Sequence, residues 1–322
     1  MEDTAAGSVF VSWRDITYSR LGVAGSGGIG AVSKVLATSG PNKGITFAIK
    51  VFTPDTEEKE AWRQGFMREV HVLRDCNHPA IVKVFDEGVL PNGRPFFVME
   101  YLPEDLKKAM QNELPEKLKM SIIMQLLSAL SYLTRRDPYV VHRDIKPQNV
   151  FMKAGTCVLG DFGLIFHDAL GAEKETGNVP KMAQRYRTPE LVAFHNGGPN
   201  PPPASDVFQL GLVASELFTG KNPLKHSGPG NPIELEPLGD ISGPLGEPIR
   251  GLLTSMLEPD TNVRPTASAA LLNWQELFLT AGKRQAARRR VEELRQETPK
   301  ETQSPGQTQQ GPPPAEINRP AS

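Results

Sequence analysis

The segment from Val141 to Gly163 constrains the chain most. It reads Val141-His142-Arg143-Asp144-Ile145-Lys146-Pro147-Gln148-Asn149 and, after a short interval, Asp161-Phe162-Gly163. Two carboxylates, an amide, a lysine and an arginine stand among short apolar runs, Tyr139–Val141, Val150–Met152 and Thr156–Leu159, that read as strands. Moving a phosphoryl group off a nucleotide needs such a set. One carboxylate accepts the proton of the acceptor hydroxyl, a second carboxylate and an amide hold Mg²⁺, and a cation faces the moving group. An ordinary polar loop has no use for that combination at that spacing.

This block resembles the catalytic and metal-binding loops of eukaryotic-type protein kinases. The resemblance implies ATP and Mg²⁺ as cofactors. It makes Asp144 the proton acceptor, Lys146 the support of the γ-phosphate, and Asn149 with Asp161 the metal ligands. A lysine two positions after the catalytic aspartate marks serine/threonine kinases, so the implied substrates are proteins with Ser/Thr acceptors.

Upstream, Gly25-Ser26-Gly27-Gly28-Ile29-Gly30 could by itself be a dinucleotide-binding turn, which wants a helix next and an acidic residue about 20 positions on. Here a strand pattern, Ala31 to Leu36, follows, and Lys50 stands 20 residues beyond Gly30. A glycine hairpin between two strands can lay backbone N–H groups over phosphates, which is similar to the glycine-rich loop of kinases. Lys50 ends the apolar run Phe47–Ile49. Alone it is a snorkelling surface residue or a phosphate contact, but Glu69 follows it by 19 residues, where kinases place the glutamate that pairs with this lysine. Glu69 lies in a helix expected over Glu57–Arg74, with apolar positions Trp62, Phe66, Val70 and Leu73. Strands are expected at Ile81–Val84 and Phe96–Met99.

The same resemblance makes Ala24, Gly25, Gly27, Gly30, Val32, Ala48 and Phe151 the lining of the nucleotide site. Ala24 is smaller than the aliphatic residue usual there. Glu100 and Leu102 would bond adenine through their backbone, and Leu73, Val84, His142 and Phe162 would form a spine between lobes. Asp105 either reaches the ribose or opens an amphipathic helix. A helix from Pro115 to Leu133 carries a Met/Leu stripe that reads as core. Further on, Thr188-Pro189-Glu190 stands where kinases write Ala-Pro-Glu, Glu190 would pair with Arg264, and Asp206 would steady the catalytic loop. Arg143 implies a phosphate-gripping role toward the loop after Gly163. Thr176 is the candidate acceptor there, phosphorylated by an activating kinase or by the chain itself, with Glu173 and Glu175 as a permanent substitute. Ala183 replaces a usual threonine.

The implied architecture is an α+β, two-lobed protein kinase fold: an extension over 1–15, a β-rich lobe over 16–99, a helical lobe over 103–280, and a basic helix with a Pro/Gln-rich tail over 281–322. Local similarity runs to cyclin-dependent kinases at Tyr186–Glu190 and around Asp105, without their cyclin-contacting helix motif, and to never-in-mitosis-related kinases at Leu159–Gly163. A pseudokinase scaffold or weakly active regulatory kinase-like protein is the rival, although Lys50, Asp144 and Asp161 are all present. Net charge −1 argues against a nucleic-acid partner. The basic run from Lys283 to Arg290 reads as a solvated helix face ahead of a nuclear address. Two cysteines, no secretory signal and no apolar run long enough for a bilayer point to a reducing, membrane-free setting, cytoplasmic or nuclear.

Overall fold

A computed structural model describes residues 8–26, 30–53, 59–167, 184–228 and 230–297. The small lobe holds β1 (Val9–Val11), β2 (Thr17–Ser26), β3 (Gly30–Ala37), β4 (Thr46–Phe52), α1 (Lys59–Asp75), β5 (Val84–Val89) and β6 (Pro95–Glu100). Its strands form one antiparallel sheet in the order β1-β2-β3-β4-β6-β5. Side chains alternate across that sheet. One face gathers Phe10, Tyr18, Val35, Phe47, Ile49, Val51, Phe96 and Val98 into an apolar cluster. The opposite face carries Lys50 and Phe97, and the Phe97 ring meets Phe66 of α1 at 5.4 Å. The strand alternation therefore aims Lys50 at the helix.

Two sequence expectations shift here. Residues 9–11, assigned to an extension with little signal, pair with β2, and Phe10 is buried in the sheet's cluster. Three residues are too short a run for alternation to be legible. The strand expected at Ile81–Val84 lies instead at Val84–Val89. Ile81 and Val82 are buried by a bridge and a backbone bond to Leu159 rather than by the sheet. Within β5, Asp86 hid the pattern: it is a buried polar residue whose carboxylate accepts from the Tyr18 hydroxyl at 3.2 Å.

The helical lobe follows with α2 (Leu106–Ala109), α3 (Glu116–Thr134), β7 (Val140–Val141), β8 (Val150–Lys153), β9 (Thr156–Leu159), β10 (Phe166–His167), α4 (Pro189–His195), α5 (Ala204–Thr219), α6 (Gly246–Met256) and α7 (Ala267–Glu297). The strand pairs β7–β10 and β8–β9 frame the catalytic segment. Helix α5 is buried on every side from Ser205 to Leu217, mostly through apolar residues, with Asp206, Gln209, Ser215 and Glu216 as buried polar exceptions. Gly211 lets it close on α6: a Cβ there would sit 3.0 Å from Leu257. The chain divides into two compact units, Met1–Leu279 and Thr280–Ser322.

Candidate active site

Four segments converge on the cleft between β4, α1 and the catalytic loop. Lys50 Nζ donates to both carboxylate oxygens of Glu69 at 2.8 Å and to Asp161 Oδ1 at 2.8 Å. Burial works against the Lys50 charge, but Asp161 and Glu69 together outweigh it and hold its pKa above the ordinary lysine value. Burial raises Glu69, opposed by Lys50 and by the backbone N–H of Phe162. Asp161 goes the other way: the Lys50 ammonium pulls it to about 2, so it is a carboxylate at neutral pH.

The loop between β7 and β8 arranges the second half. Lys146 Nζ donates to Asp144 Oδ2 at 2.7 Å, and Asn149 Nδ2 donates to the same oxygen at 2.9 Å and to the Asp144 carbonyl at 2.8 Å. Both bonds fall on Oδ2, which leaves Oδ1 of Asp144 for an acceptor hydroxyl. Burial raises the Asp144 pKa, with Lys146 opposing it, and a stronger base is the result. Two residues in the site have left-handed backbone, Arg143 (φ 65°) and Asp161 (φ 56°), conformations that cost energy for non-glycine residues and need support from their surroundings. Asp206 on α5 supports the first of them: its carboxylate accepts the N–H of His142 at 2.8 Å and of Arg143 at 2.9 Å. Burial pushes the Asp206 pKa up to about 7, against the pull of those two donors. Arg143 Nε in turn donates to the Leu164 carbonyl at 2.5 Å.

Of the four residues expected to form a spine, the His142 ring meets Phe162 edge-on at 4.6 Å, Leu73 is buried, and Val84 is half-buried at the start of β5. Glu190 and Arg264 pair at 2.8 Å, with the Arg264 side chain fully buried.

A match to the protein kinase domain covers residues 18–274. The chain belongs to the protein kinase family. It is similar to the cell division control protein 2 homolog 3 of Trypanosoma brucei brucei, 31% identical over 208 residues, covering 63% of each chain. The serine/threonine-protein kinase ssn3 of Aspergillus terreus is 31% identical over 63% of this chain and 48% of its own. Cyclin-dependent kinase 2 of Caenorhabditis elegans is 30% identical over 61% of this chain and 52% of its own. The matched region thus spans from about half to 63% of these relatives' lengths.

Within this kinase domain the other expected positions distribute as follows. Gly25 and Gly30 lie in the β2–β3 hairpin, and Val32 pairs in register with Lys50. A Cβ on Gly30 would come within 2.7 Å of the Val51 carbonyl, so the close approach of β3 to β4 requires glycine there. Ala24 is exposed on β2, and Ala48 is buried on β4 opposite Met99. Gly27, Glu173, Glu175, Thr176 and Ala183 lie outside the described residues, as does the tail beyond Glu297. Glu100 ends β6 and Leu102 follows it, both partly buried. The Glu100 carboxylate accepts from Lys153 of β8 at 2.6 Å. Asp105 caps α2, accepting from Lys108 N at 2.8 Å, and bridges to Phe151. The helix-opening role is therefore realised, beside the residue expected under the nucleotide.

Sequence reasoning passed over Gln209 and Gly160. Gln209, buried on α5, accepts from Ile145 N at 2.9 Å and donates to the carbonyls of Arg143 at 3.1 Å and Tyr186 at 2.8 Å. A lone amide one helical turn after Asp206, among apolar residues, was the available signal. Gly160 admits the Phe151 ring, whose edge would lie 2.9 Å from a Cβ.

The donor set suits Mg²⁺ bound with a nucleotide. Mg²⁺ takes one or two protein oxygen ligands and fills its octahedron with phosphates and water. Among the described residues no cluster of three or more His, Cys, Asp or Glu forms a metal cage. Asp161 offers an ionised carboxylate. Asn149 commits its NH₂ to Asp144, which leaves its carbonyl oxygen as the ligand.

Proposed function

We propose that this kinase domain transfers the γ-phosphoryl group of ATP to serine and threonine hydroxyls of protein substrates. The observation that carries the reading is the completed Lys50–Glu69 pair facing Asp161, with Asp144 held between Lys146 and Asn149. When bound, Mg²⁺–ATP supplies the phosphoryl group and a metal that offsets its charge. Asp161 and Asn149 would hold the metal. Lys50, fixed by Glu69, orients the α- and β-phosphates, with Val32, Ala48 and Phe151 about the adenine and Glu100 and Leu102 offering backbone groups to it.

Asp144 Oδ1 takes the proton of the acceptor hydroxyl as that oxygen attacks. Lys146 stays on Oδ2 and holds the aspartate in one rotamer while presenting positive charge to the γ-phosphate. Serine or threonine specificity rests on Lys146 and on relatives named as serine/threonine kinases. Among the described residues no helix is long and apolar enough to cross a membrane. The deciding experiment offers purified protein labelled ATP with a mixed protein acceptor and, separately, small-molecule acceptors. Phosphoserine and phosphothreonine should accumulate only with the first and vanish in Asp144→Asn. Label in small acceptors alone, or none in either, overturns the reading.

A further inference from the structure

The segment just before α4 lies against the catalytic loop, and its residues are held from several elements at once. Gln209 joins the Tyr186 carbonyl, at 2.8 Å, to the N–H of Ile145, at 2.9 Å, so Tyr186 stands one side chain away from the neighbour of Asp144. The Tyr186 hydroxyl donates to Glu216 Oε2, and Lys107 of α2 donates to Glu216 Oε1 at 2.8 Å. Asn222, just past α5, donates through Nδ2 to the Arg185 carbonyl at 2.6 Å. Arg185 is thereby fixed by its backbone while its side chain stays exposed.

The charges around this segment are unevenly matched. Glu216 is buried, and each of its carboxylate oxygens already accepts from a protein donor, which cancels the attraction it would offer a cationic side chain. Lys107 gives one of its three ammonium hydrogens to that carboxylate, and its side chain is half-exposed. Beside the pair opens a cavity of about 340 Å³, whose other charged lining residues are Lys119 and Glu113. Arg185 and the exposed Lys221 have no acidic partner among the described residues. In the catalytic loop, the exposed residue that follows Lys146 and Pro147 is Gln148, which is uncharged. Four cations thus stand against two carboxylates, and one of those two is buried and paired.

We propose that this surface selects protein substrates with an anionic side chain, carboxylate or phosphate, within a few residues of the acceptor hydroxyl, and that Arg185 and Lys107 recognise it. This deepens the proposed phosphoryl transfer and rests on it. A segment seated with its hydroxyl on Asp144 Oδ1 has the Arg185–Tyr186 backbone at its side, because Gln209 holds that backbone to the catalytic loop. Acidic side chains there meet Arg185 or Lys107, whereas basic ones meet like charge, and rim charges set specificity through both effects. Each exposed ion pair of this kind is worth at most about fivefold in affinity and weakens as salt rises.

Initial rates with synthetic peptides test it. The peptides place one acceptor among alanines and put glutamate, phosphoserine, alanine or lysine in turn at each neighbouring position. At the favoured positions glutamate should raise kcat/KM about fivefold over alanine, mainly through KM, and lysine should lower it. Phosphoserine separates the two anionic sources: a rate above that of glutamate assigns the surface to substrates already phosphorylated, and one no higher assigns it to acidic ones. Arg185→Gln and Lys107→Gln should each flatten the preference, with rates on the all-alanine peptide within about twofold of wild type. Arg185→Glu should turn the preference toward lysine, which a merely structural role for Arg185 would not produce. A wild type that favours lysine or shows no preference overturns the proposal, as does a glutamate preference kept in both Gln variants. Should Lys107→Gln fail to fold, because Glu216 loses a partner, the two Arg185 variants carry the comparison. If the wild type phosphorylates no peptide, the functional reading falls. Fluorescence anisotropy with labelled glutamate and lysine peptides whose acceptor is alanine then still judges the surface, by the same variants.

Discussion

At the scale of single residues, the two site aspartates have opposite electrostatic settings, and they should fail differently. Asp144→Asn removes the proton acceptor but no metal ligand. It should abolish turnover while Mg²⁺–ATP still binds with near-wild-type affinity, whereas Asp161→Asn should weaken that binding as well. Equilibrium binding of a fluorescent nucleotide with and without Mg²⁺ separates them, and near-wild-type turnover in Asp144→Asn would remove it from its role. His142 adds a pH dependence. Burial depresses its pKa to about 4 from the ordinary 6.5, so its contribution to stability is complete above pH 6.5 and is lost as pH falls toward 4. The full loss is about 3 kcal/mol, from 1.36 kcal/mol for each unit of difference. Asp206, raised to about 7, acts in the opposite sense over much of the same range, so the wild-type curve alone does not isolate the histidine. The difference between wild type and His142→Phe does: its slope between pH 6.5 and 5 should have the histidine's sign, read from chemical denaturation at each pH. Parallel curves would show that His142 is not buried neutral.

At the scale of elements, α5 organises the catalytic loop through two polar side chains one turn apart. Gln209→Leu fills similar space and removes a hydrogen-bond partner from three backbone groups: the N–H of Ile145 and the carbonyls of Arg143 and Tyr186. It should cost on the order of 3 kcal/mol in stability and reduce kcat more than KM for ATP. A melting curve and initial-rate kinetics check both, and unchanged kcat would limit Gln209 to a structural part. Much of this was legible beforehand. The Lys50–Glu69 and Glu190–Arg264 pairs and the Asp206 support were expected from the resemblance to protein kinases, and each is realised as buried charged groups that find partners. Less legible were Gln209, whose partners are backbone groups that no sequence pattern marks, and Asp105, whose two readings differ only in side-chain direction. Strand β5 was misplaced because Ile81-Val82 looks more strand-like than the run interrupted by Asp86. The segment holding Thr176 stays a matter for kinetics. Arg143 contacts the Leu164 carbonyl at its start, and Thr176→Ala should lower kcat clearly if a phosphate holds that segment. Unchanged activity, with loss on Glu173→Gln/Glu175→Gln, would assign the task to carboxylates.

At the scale of the whole molecule, the unit Met1–Leu279 is compact by itself. Truncation after Ala281 should leave kcat on a short peptide unchanged, and loss of activity in a soluble truncation would show that the tail contributes to catalysis. The opposite terminus is less expendable, because β1 does more than extend the sheet. Phe10 stacks edge-on against Phe96 at 5.6 Å, and Trp13 N–H donates to the Glu87 carbonyl at 3.0 Å. The first strand region is thereby joined to the last strands of the lobe across 74 positions (87 − 13). Biosynthesis meets those partners in a fixed order. Val9-Phe10-Val11 emerges from the ribosome early, and Glu87 follows about 4–15 s later at the usual 5–20 residues per second. Until β5 and β6 arrive, the cluster that Phe10 and Tyr18 share with Val35, Phe47, Ile49 and Val51 lacks Phe96 and Val98. The small lobe is therefore completed by its late strands, and a pause in translation shortly before residue 87 would prolong the interval in which the nascent chain is open to chaperones and to aggregation.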